Sequence, residues 1–111
     1  MLSGLFSNRS DLSTPQTLEL ANFSLINAHI TQDTKLASVL CEDAASLLSQ
    51  VKRPKRAPKN ADEQTFRERV ADTYQKLGKL QEDLGHKEKA QTSLKAAEKW
   101  RYGSIRSPLV D

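Results

Sequence analysis

Small and aliphatic residues recur at intervals of three and four along four segments of this 111-residue chain. That spacing places them on one face of an α-helix, because a helical turn holds about 3.6 residues. The pattern predicts helices over residues 15–31, 34–52, 61–84 and 87–101, with Asp33 and Asn60 as candidate N-terminal caps of the second and third. No stretch of useful length alternates apolar and polar residues, as a half-buried strand would. The sequence therefore predicts an all-α fold with four helices.

The breaks between the segments predict how the helices connect. One or two residues separate the first helix from the second, and a short turn at Gly85 separates the third from the fourth. Each pair should therefore fold back as an antiparallel hairpin. Residues 53–60 contain two prolines, which disfavour helix and indicate a linker. We expect two stacked hairpins, residues 15–52 and 61–101, in one domain over residues 14–102.

The two ends of the chain lack the helical pattern. Residues 1–13 are rich in serine and other polar residues, which predicts a flexible leader. Gly103 suits the position just beyond a helix, so we expect the fourth helix to end there. Residues 103–111 would then form a tail.

Composition excludes two classes of protein. The chain has one cysteine, Cys41, so it cannot be a secreted scaffold held by internal disulfides. No run approaches the roughly 20 apolar residues of a membrane-spanning helix. We therefore expect no membrane partner and a cytoplasmic chain. Aromatic residues are only 5% of the sequence, so leucine, alanine and valine must supply most of the core.

The second hairpin resembles a tetratricopeptide repeat (TPR), a helical hairpin of about 34 residues. The residues that match the spacing of the motif are Tyr74, Leu77, Gly78, Gly85, Ala90, Leu94 and Ala97. The first hairpin matches more loosely, through Ala21, Ala37, Cys41 and Ala44, and it lacks the Leu-Gly pair. The resemblance implies a TPR-like right-handed superhelix. Closure of the four helices into a compact four-helix bundle is the alternative.

Three longer stretches are similar to the N-terminal helical module of large fungal multidomain proteins, in which a NACHT-like nucleotide-binding region and repeats follow. The stretches are LELANFSLINAHI, LASVLCEDAASLLSQVK and VADTYQKLGKLQEDLGHKEKAQTSLKAAEKW. This resemblance covers the chain from Leu18 to Trp100 and implies a helical interaction module. No glycine-rich turn precedes Lys-Ser or Lys-Thr, so no nucleotide chemistry carries over and we expect no cofactor.

The TPR resemblance also implies a binding surface. In such arrays the first helix of each hairpin lines a concave groove. The positions of this chain that correspond to the partner-binding surface are Asn22, Ile26, His29, Asp72, Gln75 and Lys79. The predicted function is a non-catalytic adaptor that binds a protein or peptide there, either an amphipathic helix or an extended segment.

The sequence offers no set of residues for catalysis or metal binding. His29 and His86 are the only histidines, and Cys41 lies on the predicted inner face of the second helix. Nucleophilic catalysis needs a cysteine, a base and an orienting group in contact, and structural zinc sites need several closely spaced ligands. We expect no enzymatic activity, no catalytic residue and no metal site.

A cluster of positive charge supports a first alternative. The basic residues of this patch are Lys52, Arg53, Lys55, Arg56 and Lys59. They match a short nuclear-import pattern and could contact phosphates. The chain would then be a nuclear or nucleic-acid-associated adaptor. Nucleic acid is the less favoured partner, because no aromatic residue suited to base stacking lies between Phe23 and Phe66.

Self-association is the second alternative. Stacked helical repeats usually need three or more units to bury their faces, and this chain has two. A homodimer could supply the missing cover, with Ile26, Ile30 or Trp100 at the interface. For Trp100, packing against the third helix of its own chain is the alternative.

Overall fold

The computed structural model describes the backbone of residues 14–110 and the side chains of residues 15–101. Residues 14–110 contain four helices, α1 (Thr14–Ile30), α2 (Thr34–Ser49), α3 (Ala61–Asp83) and α4 (Lys87–Val110). The first two pack as one hairpin and the last two as another. This confirms the all-α fold of two helical hairpins. The predicted leader, residues 1–13, lies outside the described residues.

Two helices have N-terminal caps at the positions that the sequence predicts. Asp33 caps α2, and its carboxylate accepts hydrogen bonds from the backbone N–H groups of Lys35 (3.0 Å) and Leu36 (3.3 Å). Asn60 caps α3 by accepting from the N–H of Glu63 at 2.9 Å. These bonds satisfy donors that a helix start otherwise leaves unpaired.

Gly85 ends the third helix in the left-handed conformation that glycine adopts without strain, with φ of 88°. The N–H of His86 donates to the carbonyl of Gln81 (2.8 Å), and that of Gly85 donates to the carbonyl of Glu82 (3.0 Å). This pair of bonds is the Schellman motif. It turns the chain within three residues and places α4 antiparallel against α3.

The predicted end of the fourth helix is wrong. We expected α4 to end near Arg101, with Gly103 beyond it, but its backbone continues to Val110. Glycine within a helix costs only about 1 kcal/mol relative to alanine. Extending an existing helix is much easier than starting one, so Gly103 does not stop it.

The core joins the two hairpins. Helix α3 packs against both α1 and α2, while α4 packs mainly against α3. The side chains that are almost fully buried include Leu18, Leu48, Val70 and Leu77. Trp100 belongs to the same cluster and is 7% exposed. The prediction of Trp100 as part of an interface between copies is therefore wrong, because this side chain fills the interior of its own chain.

Two polar contacts also tie the hairpins together. The Ser38 hydroxyl on α2 lies 3.2 Å from Nε2 of His86, just before α4. One turn further along both helices, Nζ of Lys89 lies 2.7 Å from the Glu42 carboxylate. That ammonium holds the pKa of Glu42 below its usual range by hydrogen bonding to the carboxylate. These contacts connect α2 to the start of α4.

Candidate partner-binding groove

An open groove of about 390 Å³ runs between α1 and α3. Its lining residues are Asn22, Leu25, Ile26, His29, Lys76, Lys79, Leu80 and Asp83. Four of the six residues that the TPR resemblance implied, Asn22, Ile26, His29 and Lys79, therefore lie together here. On each helix the four lining positions follow the pattern i, i+3, i+4 and i+7, so each set lies on one helical face.

The floor of the groove is apolar and its rim is polar. Leu25 is buried and Leu80 is half-buried, while Ile26 is 59% exposed. Lys76 and Lys79 lie on the rim beside Asp83, and all three are exposed. An apolar floor with a few polar groups around it is the usual composition of a binding site. The rim carries one more positive than negative charge, with histidine counted as neutral.

A polar contact links the two walls of the groove. The Thr73 hydroxyl on α3 lies 3.2 Å from Oδ1 of Asn22 on α1, and it lies 2.8 Å from the Arg69 carbonyl of its own helix. Thr73 is only 2% exposed, while Asn22 is half-buried. The Asn22 amide therefore lies at the wall of the groove beside the buried Thr73.

Asp72 and Gln75, which the TPR resemblance also implied, do not line the groove. Both contact Arg101 of α4 instead. One guanidinium nitrogen of Arg101 forms an ion pair with the Asp72 carboxylate, and the other lies 3.4 Å from Oε1 of Gln75. Lys76 and Asp83 also line the groove, although they are not among the residues that the resemblance implied. They lie three residues before and four residues after Lys79, which indicates the same helical face.

The basic patch is partly engaged within the chain. Arg56 donates two hydrogen bonds to the Glu63 carboxylate, at 2.8 and 3.3 Å. The buried Arg67 donates to the same carboxylate at 2.6 Å. The two guanidinium groups lower the pKa of Glu63 to about 2. Lys52, Lys55 and Lys59 remain exposed.

The ion pairs of Glu63 with Arg56 and Arg67 predict that the stability of the fold depends on pH. The pKa of the Glu63 carboxyl group is lower in the folded chain than its ordinary value of 4.5. The contribution of Glu63 to stability is therefore present above about pH 4.5 and is lost as the pH falls towards 2. Glu63→Gln should lower the melting temperature at pH 7, and this difference from the unmodified chain should shrink below pH 4.5. Thermal unfolding followed by circular dichroism tests this, and a constant difference between pH 7 and pH 2 would contradict it.

The cysteine and histidine considered for catalysis, Cys41 and His29, lie in different parts of the fold. Cys41 is 1% exposed and belongs to the core, where burial raises the pKa of its thiol. His29 is exposed and lines the groove. Among the described residues, no group of histidine, cysteine, aspartate and glutamate side chains is arranged to hold a metal ion.

Comparison with known proteins leaves the chain without a family assignment, since no family model, curated protein or solved structure matches it. Within residues 14–110, no helix combines the length and hydrophobicity that crossing a bilayer requires.

Proposed function

We propose that this protein is a non-catalytic, TPR-like interaction module that binds a segment of a partner protein in the groove between α1 and α3. The observation that carries the proposal is the groove itself. It lies between the first helices of the two hairpins, where the TPR resemblance implies a concave binding surface. Its apolar floor and polar rim suit a peptide with one or two apolar anchors.

The packing of the helices supports the TPR-like part of this proposal. Helix α3 contacts both helices of the first hairpin, as the first helix of a stacked repeat does. In a simple four-helix bundle, α1 would instead pack extensively along α4. Gly78 occupies the close crossing of α3 and α4, beside Leu94 and Ala90. These three are among the seven residues that carry the resemblance.

Selection from a library of displayed random peptides tests the proposal with the full chain as bait. We expect enriched peptides to bind with micromolar affinity, and we expect Ile26→Glu to weaken that binding at least about 10-fold, because it places a carboxylate beside the apolar floor. Val39→Glu is the matched control, since Val39 lies on α2 outside the groove and is 56% exposed against 59% for Ile26.

Two outcomes would contradict the proposal. One is a selection that enriches no binding peptide. The other is a set of peptides whose affinity is unchanged by Ile26→Glu and falls steeply with salt. That result would favour binding through the basic patch, because contacts between phosphates or carboxylates and lysine side chains are screened by ions.

A further inference from the structure

The charged side chains that line the groove, with histidine counted as neutral, all belong to α3. Lys76, Lys79 and Asp83 are exposed on this wall. Helix α1 lines the groove with Asn22, His29 and two apolar residues. The α3 wall therefore determines which charges a bound segment carries with advantage.

The charges are ordered along the groove. The Thr73 hydroxyl contacts Asn22, and from this contact the lining residues of both helices extend towards the C-terminal ends, to His29 on α1 and Asp83 on α3. The two walls therefore run in the same direction. Lys76 lies near the Asn22 end, and Asp83 lies about 10 Å further along α3, since each helical residue adds about 1.5 Å. The groove thus has a positive end and a negative end.

The two lysines of the groove are not neutralised by the chain itself. Within residues 15–101, neither Lys76 nor Lys79 forms an ion pair. The carboxylate one turn before Lys76 belongs to Asp72, and Arg101 of α4 holds it in an ion pair. Asp83, one turn after Lys79, is also outside the ion pairs of this part of the chain. The lysine ammonium groups are therefore available to a carboxylate from a partner.

The charged side chains that flank the groove without lining it keep this order. Glu19 lies one turn before Asn22 on α1, and Arg69 lies one turn before Thr73 on α3. Because Asn22 and Thr73 are in contact, Glu19 and Arg69 flank the same end, where their opposite charges offset each other. At the other end, the exposed Glu82 adds to the negative charge.

We infer that the segment bound in the groove carries an acidic and a basic side chain on opposite sides of its apolar anchor. This inference rests on the proposed function, because it names the partner of the same site. The acidic side chain contacts Lys76 and Lys79. The apolar anchor packs on Leu25 and Leu80, and the basic side chain contacts Asp83. Complementary charges of this kind fix the direction in which a segment lies and exclude segments with other charge patterns.

Peptides selected on the full chain test the inference when they are synthesised with acetylated and amidated ends, so that terminal charges do not contribute. We expect Asp or Glu on one side of the apolar anchor and Lys or Arg on the other. Replacing the acidic residue of such a peptide with its amide should weaken binding about five-fold, the effect of losing an exposed ion pair. This loss should shrink as the salt concentration rises from about 20 mM to about 500 mM, because ions screen exposed charges.

Charge reversal in the protein is the sharper test. Lys76→Glu combined with Lys79→Glu should weaken binding of the selected peptide at least about 10-fold. This double variant should instead prefer the peptide in which lysine replaces the acidic residue. Lys95→Glu combined with Lys99→Glu is the matched control, because it makes the same change of charge at two exposed positions of α4 outside the groove. It should leave both affinities within about two-fold, and circular dichroism verifies that each variant remains folded.

The possible outcomes separate this inference from the groove proposal. Peptides that Ile26→Glu weakens, but whose acidic residue makes no difference to binding, would overturn the inference and leave the groove proposal standing. A charge preference that the double variant at Lys76 and Lys79 leaves unchanged would also overturn it. A selection that enriches no binding peptide, or peptides insensitive to Ile26→Glu, would overturn both.

Discussion

Replacing Trp100 with alanine should lower the free energy of unfolding by about 3–5 kcal/mol, the usual cost of removing a large buried aromatic side chain. Trp100 is 7% exposed and belongs to the cluster that joins the two hairpins. Its removal leaves a cavity that the neighbouring side chains fill only in part. Small domains are stable by about 5–15 kcal/mol, so this variant should lose a large fraction of the stability of the chain.

Urea unfolding followed by circular dichroism measures the effect, with Trp100→Phe as the control. Phenylalanine keeps most of the apolar surface, so the loss should be clearly smaller than with alanine. Trp100 is the only tryptophan in the chain, and its fluorescence should shift to longer wavelength on unfolding. An alanine variant as stable as the unmodified chain would mean that α4 is not packed on the core as described.

Replacing Gly78 with valine should lower the free energy of unfolding by about 3 kcal/mol, at the upper end of the usual cost of overpacking. A Cβ atom at position 78 would lie 2.8 Å from Cγ of Leu94 and 3.2 Å from the Ala90 carbonyl oxygen. The Cγ atom of Leu94 lies close to the backbone of α4, and the carbonyl of Ala90 is part of that backbone. The two helices would therefore have to move apart.

Lys76→Val is the matched control for this substitution, because it places the same residue at an exposed position of the same helix. It should change the free energy of unfolding by less than about 1 kcal/mol. Gly78→Ala should have an intermediate effect, since alanine favours the helix but still meets Leu94. Equal stabilities of Gly78→Val and Lys76→Val would refute a close crossing of α3 and α4.

The parts of the fold that could be predicted from the sequence are those determined by local physics. The periodicity of apolar residues located all four helices, and Asp33, Asn60 and Gly85 marked their boundaries. Each of these signals acts within about one helical turn, so no tertiary information is needed to interpret it. The end of α4 was mispredicted because Gly103 is compatible both with a helix interior and with a helix end.

The side of each helix that faces a neighbour depends on tertiary packing. Leu36 follows the same spacing as the buried residues of α2, yet it is 46% exposed because none of the four described helices covers that side. Likewise Asp72 occupies a position that the TPR resemblance assigns to the groove, but Arg101, 29 residues away in sequence, draws it towards α4. Long-range contacts of this kind cannot be derived from spacing alone.

The most direct test of the proposed function is nuclear magnetic resonance of the uniformly ¹⁵N-labelled chain during titration with a peptide selected for binding. The proposal predicts that the largest amide shifts cluster on the walls of the groove, around Asn22, Ile26 and Lys79. It also predicts that, at the same peptide concentration, these shifts become much smaller in Ile26→Glu and persist in Val39→Glu. Shifts that cluster instead on residues 52–59, or on the exposed side of α2, would contradict the proposal that the groove is the partner-binding site.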